Sequence, residues 1–314
     1  MSFHQSPRRF DRLYRSKLFV PGSKPELFGK IFAKANPDCI CLDLEDAVAP
    51  ADKPRARESV ARALKEIDFR DKFVTARING LDTPWCYKDV IALVEEGGER
   101  LDAIMIPKVG QGADVYAIDM LMTQAGAAVG RKKQIGLEVI IESAAGLEHV
   151  ESICAASPRM QTVHFGAADY AASAGMRTTN IGGSNADYTV LTDADASGKR
   201  AAHWGDLWHY PLMRIVAAAR LNGLVPIDGP FGNYSDPDGF RSQAMRTAVM
   251  GFEGKWAIHP NQVDLANEIF TPPAAEVERA EGILKAMAEA QASGSGAVTY
   301  RGGLVDRASI RQAE

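Results

Sequence analysis

The feature that most constrains this chain is an eightfold alternation of short apolar runs with segments of helical period. The runs are KLFVPG (17–22), CICLDLED (39–46), KFVTARING (72–80), DAIMIPKVG (102–110), IGLEVIIE (135–142), MQTVHFGAAD (160–169), VPIDGPFG (225–232) and GKWAIHP (254–260). Each stops at turn residues and leads into an amphipathic stretch. Short apolar runs bounded in this way read as buried parallel strands, and strand–helix alternation indicates an α/β fold. Eight units predict a (β/α)8 TIM barrel over residues 1–270, near the roughly 250 residues usual for such barrels. A doubly wound sheet is the runner-up, weakened by the lack of a G-x-G-x-x-G after an early strand and of a Walker loop. Residues 271–314 follow a barrel that is already complete. They read as a C-terminal helical lid, with an amphipathic helix, a Gly/Ser linker (293–297) and the segment AVTYRGGLVDRASIRQAE, and either pack outside the barrel or cross to a neighbouring subunit.

The strand ends carry the chemistry. Gly22, Asp46, Arg77, Lys108, Glu142, Asp169, Asp228 and His259 fall at or just past the ends of the runs, the rim where barrel active sites lie. Glu142 and Asp169 end two successive runs and precede small residues. Two acids on neighbouring rims suit an octahedral hard cation, since Mg²⁺ takes one or two carboxylates and keeps waters. The ordinary alternative is that both cap helices, where acids are favoured. Arg77 ends an apolar strand and needs an anion, because an unpaired buried charge is costly. Its partner is either Glu45 or Asp46, in a structural pair, or a substrate carboxylate gripped at two points. Asp43, Glu45 and Asp46 crowd one strand end and call for a cation, an arginine or ordered water. The turn Phe19-Val-Pro-Gly-Ser-Lys24, with Arg55 or Arg57 nearby, reads either as a phosphate cradle at a helix start or as an ordinary βα turn. His164 reads as a satisfied core residue and His259 as a rim residue. No Ser-His-Asp order, H-E-x-x-H or Cys-His pair supports a covalent nucleophile.

Composition narrows the field. Of 314 residues, 46% are hydrophobic and 24% charged, enough for one large core or two small ones. A net charge of -4 gives no electrostatic case for a nucleic-acid partner. Cys39, Cys41, Cys86 and Cys154 have neither zinc spacing nor the density of a disulfide scaffold. The polar N-terminal arm lacks an apolar signal core and no run approaches transmembrane length, so a cytoplasmic protein without a membrane partner is expected.

Longer motifs extend the reading. VPGSKPELF, LDLEDAVAPADK, ARINGLDTPW, IMIPKVG, EVIIESAAG, FGAADYAAS, IGGSNADYTVLTD, PIDGPFGNYSDPDGF, GKWAIHPNQVDLANEIFTP and GGLVDRASI run from residue 17 to the end. Together they resemble the citrate lyase β-subunit-like (HpcH/HpaI-type) lyases, and within them the malyl-CoA lyase branch. The resemblance implies a TIM barrel, a homo-oligomer (trimer or hexamer), and Mg²⁺ (or Mn²⁺) held by Glu142 and Asp169. It implies that Arg77 and the backbone of Ala167, Ala168 and Asp169 hold the carboxylate of glyoxylate or malyl, while Glu45 and Asp46 orient metal-bound waters. Phe19, Lys24, Ile258 and Pro260 would meet coenzyme A, which is part of the substrate. Asp306 would be a catalytic acid or base donated by a neighbouring subunit, its ordinary alternative being an N-cap of the last helix. The implied reaction is reversible cleavage of L-malyl-CoA to acetyl-CoA and glyoxylate, extending to β-methylmalyl-CoA. A malyl-CoA thioesterase, a citramalyl-CoA lyase and a non-catalytic acyl-CoA-binding paralogue are the alternatives.

Overall fold

The computed structural model describes residues 11–178 and 180–314. Residues 1–10 of the N-terminal arm, and Thr179, lie outside them. The described chain divides into two compact units, the first ending at Phe270 and the second spanning Thr271–Glu314.

In the first unit the eight apolar runs become strands: β1 (Ser16–Pro21), β2 (Cys39–Asp43), β3 (Phe73–Arg77), β4 (Ala103–Ile106), β5 (Gly136–Ile141), β6 (Met160–Phe165), β9 (Val225–Ile227) and β10 (Lys255–Ala257). A short antiparallel hairpin, β7 (Thr189–Leu191) and β8 (Ala202–Trp204), lies between β6 and β9. The eight strands pair in parallel in the order β10-β1-β2-β3-β4-β5-β6-β9. A parallel bridge from Asp228 to Lys255 joins the two ends, so the sheet closes into the expected (β/α)8 barrel.

Alternation along each strand sorts its side chains. Ile40, Leu42, Val74, Ala76, Val139 and Ile141 belong to the large cluster that includes the apolar faces of the helices. Cys39, Cys41, Phe73, Met105, Ile140 and Trp256 form a second cluster inside the barrel. Successive strand residues face opposite sides. Asp43, Arg77 and Glu142 share the parity of the inner set and therefore come inward at the rim.

Deeper inside, the barrel holds charge. Lys17 on β1 donates to Glu138 on β5 at 2.5 Å and to Thr75 on β3 at 2.9 Å, with all three residues buried. β1 and β5 are not neighbours in the sheet, so this pair spans the interior. Thr162 Oγ1 donates to Glu138 at 2.8 Å and lies 2.7 Å from His164 Nε2. Trp256 Nε1 donates to His164 Nδ1 at 2.8 Å. That bond assigns the proton of the neutral imidazole to Nε2. Burial lowers the His164 pKa to about 4, so the ring is neutral near pH 7. Burial would raise Glu138, but Lys17 and the imidazole side outweigh it and hold the carboxyl at about 2. The network ends on the indole that floors the rim cavity.

Three expectations are refined. The segment after β1 is a 3-10 helix, Pro25–Ala33, with i→i+3 bonds such as Leu27 N–H to Lys24 O at 3.0 Å. The run LEHVESICAASP is broken at His149 into Ala144–Glu148 and Val150–Ala155, the His149 ring lying 3.0 Å from the Ala145 carbonyl. The polar insertion that the sequence shows from about Gly175 to Trp204 contains the β7–β8 hairpin. Among the described residues no helix is long and apolar enough to cross a membrane.

The second unit holds the helix Ala274–Ala292, the hairpin β11 (Val298–Tyr300) and β12 (Gly303–Val305), and the helix Arg307–Ala313. Tyr300 folds onto the long helix at Gly282, where a Cβ would come 2.0 Å from its hydroxyl.

Two outcomes follow from the interior network. Glu138→Gln strands the Lys17 ammonium, so the variant is expected to lose about 3–5 kcal/mol of stability. The double variant Lys17→Met/Glu138→Leu should recover most of it, as read by urea unfolding. For His164 the unfolded ring takes up a proton near 6.5 while the folded one does so only at about 4. Its contribution is complete above pH 6.5 and is lost as pH falls toward 4, by at most about 3 kcal/mol. His164→Phe should flatten the slope of unfolding free energy between pH 6.5 and 5.

Candidate active site

The inward-facing ends of β2 and β3 meet first. Asp43 and Arg77 are register partners, and the guanidinium grips the carboxylate at two points, Nε and Nη2 each 2.7 Å from an oxygen. Asp43 also accepts from the Glu45 and Ala47 backbones, at 2.9 and 3.3 Å. Burial would raise its pKa, but the Arg77 charge and hydrogen bonds hold it below the ordinary carboxylate value. Burial works against the Arg77 charge as well, and Asp43 and Glu45 overcome it. Arg77 Nη1 reaches Glu45 at 2.8 Å and Asp46 at 3.9 Å. The sequence pointed to Glu45 or Asp46 as the structural partner. The principal partner is Asp43, because parity and register place it, rather than the later acids, opposite Arg77. Two of the five guanidinium N–H groups are thus given to Asp43, while Nη1 meets Glu45 as an ion pair without a hydrogen bond.

Glu142 follows β5 and is buried at 3% exposure. Burial, then the charge of Glu45 and that of Asp169, push its pKa up to about 8. One oxygen accepts from the Lys108 backbone N–H at 2.7 Å. Gly166, after β6, makes room for it, since a Cβ there would lie 2.4 Å from Glu142 Oε2. Asp169 sits in the first turn of the helix Ala167–Ser173, its side chain 42% exposed. The first N–H groups of a helix have no intrahelical acceptor, so Ala167, Ala168 and Asp169 present donors at the same edge.

Lys108 ties these acids together, with its ammonium hydrogen-bonded to Glu45, 3.5 Å from Asp46 and 3.9 Å from Asp169. Lys53 stands behind β2, donating to the Leu44 and Glu45 carbonyls at 3.0 and 2.7 Å. Five carboxylates (Asp43, Glu45, Asp46, Glu142 and Asp169) therefore meet three cations (Arg77, Lys108 and Lys53), leaving two negative charges when all are ionised. This excess, all on oxygen donors, fits a divalent hard cation at Glu142 and Asp169. Among the described residues no cluster of three or more acid, His or Cys side chains forms a complete cage. Mg²⁺ suits such a partial set, because it keeps several waters.

A cavity of about 370 Å³ opens over these groups, lined by Phe19, Pro21, Asp43, Asp46, Arg77, Glu142, Asp169, Trp256 and Ile258 among others. Phe19 and Trp256 stack at 4.1 Å, and the guanidinium of Arg77 lies 5.3 Å from the Phe19 ring centroid. The floor is thus aromatic and the inner wall acidic. Lys24 is exposed at the turn after β1 and Pro260 opens the helix Asn261–Ile269; neither lines the cavity. Arg57 pairs with Asp89 at 2.6 Å and Arg55 with Asp52 at 2.9 Å. His164 is a satisfied core residue, as expected, and His259 stacks on Tyr234 at 4.9 Å. Asp228 pairs with Lys255 at 2.5 Å and belongs to the barrel seam. In the second unit Asp306 caps the helix Arg307–Ala313, its Oδ1 accepting from Ala308 at 2.8 Å and Ser309 at 3.3 Å. Lys108 and Trp256 were missed as site residues. Lys108 stood at a strand end but had no partner in its own segment, and the parity of Trp256 was the signal that could have found it.

Known proteins resemble the chain along its whole length. The family model described as HpcH/HpaI aldolase/citrate lyase matches residues 15–260. A relative from Rhodobacter capsulatus, named L-malyl-CoA/beta-methylmalyl-CoA lyase, is 56% identical over 314 residues, covering 100% of this chain and 96% of its own. Among solved structures, protein CitE from Mycobacterium tuberculosis in complex with magnesium, acetoacetate and coenzyme A is 26% identical. It has a TM-score of 0.70 and covers 95% of this chain and 94% of that one. A citrate lyase from Burkholderia xenovorans LB400, at 22% identity, shares the fold with a TM-score of 0.81 over 97% of this chain and 90% of that one. The chain belongs to the HpcH/HpaI aldolase/citrate lyase family, and it is an enzyme of the carbon–carbon lyase kind.

Proposed function

We propose that this enzyme catalyses the reversible cleavage of L-malyl-CoA to acetyl-CoA and glyoxylate, and the matching cleavage of β-methylmalyl-CoA to propionyl-CoA and glyoxylate. The observation that carries the proposal is the acidic wall of Glu142 and Asp169 beside Arg77 in one cavity. The reading is supported by the substrates for which the 56% identical relative is named. Mg²⁺ is the proposed cofactor and Mn²⁺ a substitute, in keeping with the magnesium held by the related CitE structure. A homo-oligomer, trimer or hexamer, acting in the cytoplasm completes the proposal.

The chain's own residues then have definite tasks. Glu142 and Asp169 would hold the ion. When bound, it supplies Lewis-acid polarisation to the hydroxyl and carboxylate oxygens of the substrate. The N–H groups of Arg77 that Asp43 does not take, with the donors at Ala167, Ala168 and Asp169, hold the carboxylate of glyoxylate or malyl. Glu45 and Asp46, fixed by Arg77 and Lys108, accept hydrogen bonds from water around the ion. Phe19 and Ile258 offer apolar surface to the thioester end of coenzyme A, and Lys24 and Pro260 flank its longer reach. In the cleavage direction the 2-hydroxyl loses its proton and the C2–C3 bond breaks. Its electron pair moves to the thioester α-carbon, and C2 leaves as the aldehyde of glyoxylate. Asp306 of a neighbouring subunit protonates that carbon, and in condensation it removes the proton.

Glu142→Gln and Asp169→Asn should each abolish turnover and the thermal shift produced by added Mg²⁺. Retention of either in a folded variant counts against the metal assignment. Arg77→Lys keeps the charge but loses the planar fork. It should raise the KM for glyoxylate about tenfold or more while leaving that for acetyl-CoA within about twofold, the loss of one charged hydrogen bond. It should also lower the unfolding temperature through Asp43. For Asp306, subunits carrying Asp306→Asn or Glu142→Gln should be inactive alone and regain activity when mixed. Mixed assemblies that stay inactive would remove the in-trans role and leave the cap. Assays for glyoxylate and for released thiol separate lyase from thioesterase turnover, and a panel of acyl-CoA and α-keto acid pairs tests citramalyl-CoA. A protein that binds acyl-CoA without turnover would be the non-catalytic paralogue.

A further inference from the structure

Lys108 ends the loop after β4 with φ at +53°, in the left-handed region that non-glycine residues seldom adopt. This backbone does two things at once. Its N–H points at Glu142 Oε1, 2.7 Å away, while its side chain turns across the rim to Glu45, Asp46 and Asp169. One residue on β4 therefore touches carboxylates from the ends of β2, β5 and β6. Arg77 and Lys53 are differently employed. Arg77 gives its fork to Asp43, and Lys53 gives its bonds to backbone carbonyls. Arg77 Nη1 also meets Glu45 and, at 3.9 Å, Asp46, but it is Lys108 whose ammonium extends from these two acids to Asp169, and its side chain is 36% exposed.

We infer that Lys108 is the resident counter-cation of this acid cluster, its backbone fixing Glu142 while its ammonium opposes a divalent ion and so sets how tightly that ion is held. The inference rests on the proposal that Glu142 and Asp169 hold the ion. The ammonium lies 3.9 Å from Asp169, a proposed ligand, so ion and ammonium repel each other at close range. Without the ion the ammonium relieves the repulsion among Glu45, Asp46 and Asp169; with it the two cations share the same acids. Burial works against the Lys108 charge, yet the bond to Glu45 and the surrounding acids raise its pKa above the ordinary lysine value. An ordinary rim salt bridge would stabilise the fold without this opposition. The arrangement makes the metal exchangeable: the apo cluster stays ordered, and the ion is held less tightly than bare carboxylates would hold it.

The test compares the unaltered protein with Lys108→Met, which removes the charge and keeps the backbone N–H, and with Lys108→Arg, which keeps the charge. Mg²⁺ and Mn²⁺ are titrated by calorimetry at fixed pH and low ionic strength, and unfolding temperatures are taken with and without chelator. Lys108→Met is expected to bind either ion about tenfold more tightly, the repulsion between a single and a double charge across a solvated gap of this size. It should melt lower in chelator and gain more on metal addition, while Lys108→Arg stays near the unaltered affinity. Should Lys108→Met fail to fold, Lys108→Asn removes the same charge with a residue that accepts the left-handed backbone, and the same tightening is expected. Unchanged or weaker metal binding in the uncharged variant overturns the inference and leaves Lys108 a structural pair. If the unaltered protein binds neither ion, the metal assignment itself falls.

Discussion

The two-point bond between Asp43 and Arg77 is the interaction around which the rim is arranged. Both residues are inward-facing ends of adjacent strands, and both are buried. Their union cancels charge that neither could carry alone at that depth. Because Asp43 also accepts two backbone N–H groups from the following loop, the pair fixes where Glu45 and Asp46 stand. The remaining acids then face a guanidinium that is mostly spoken for. Burial first, and then the charges of Glu45 and Asp169, drive Glu142 upward, and the proposed ion would relieve that excess of negative charge.

Beneath the rim a second charged layer replaces the branched apolar residues that commonly fill a barrel. Lys17 and Glu138 reach across the interior, and the chain of bonds runs through Thr162 and His164 to the Trp256 indole. Satisfied polar networks in a low-dielectric interior hold their members in one arrangement. The indole bonded to the neutral imidazole is therefore held in one orientation, and Phe19 stacks on it. An aromatic floor fixed from below and an acidic wall fixed from the side leave the substrate to adapt to the site.

How much of this was legible differs from residue to residue. The eight strands announced themselves because each is a short apolar run ended by a turn, and Glu142 and Asp169 were conspicuous as acids at two such ends. The pairing of Arg77 was read in part: Glu45 meets it at 2.8 Å as expected, but the two-point partner is Asp43, which the β2–β3 register places opposite and a one-dimensional string does not. Lys17 and Glu138 could not be matched, since they stand 121 residues apart on strands that are not neighbours. The β7–β8 hairpin left no signal because its residues are exposed and show no buried face. The role of Lys108 depends on one backbone angle, which no side-chain pattern encodes.

The seam of the barrel carries a consequence of its own. Most neighbouring strands are laced by ladders of three or more residue pairs, whereas among the described residues β9 and β10 meet through one bridge, Asp228 to Lys255. The side chains of that same couple bond again, and Thr247 supports the carboxylate at 3.2 Å. Three backbone hydrogen bonds flank the bridge, Asp228 N–H to Gly254 O at 2.8 Å, Trp256 N–H to Asp228 O and Glu253 N–H to Pro226 O each at 3.0 Å. A joint this short leans on its buried side-chain couple, and losing that couple would favour local opening there. The stave next to that joint is β10, and it carries Trp256. Loosening that a longer ladder would spread around the circumference would fall beside Trp256 and the rim cavity it lines.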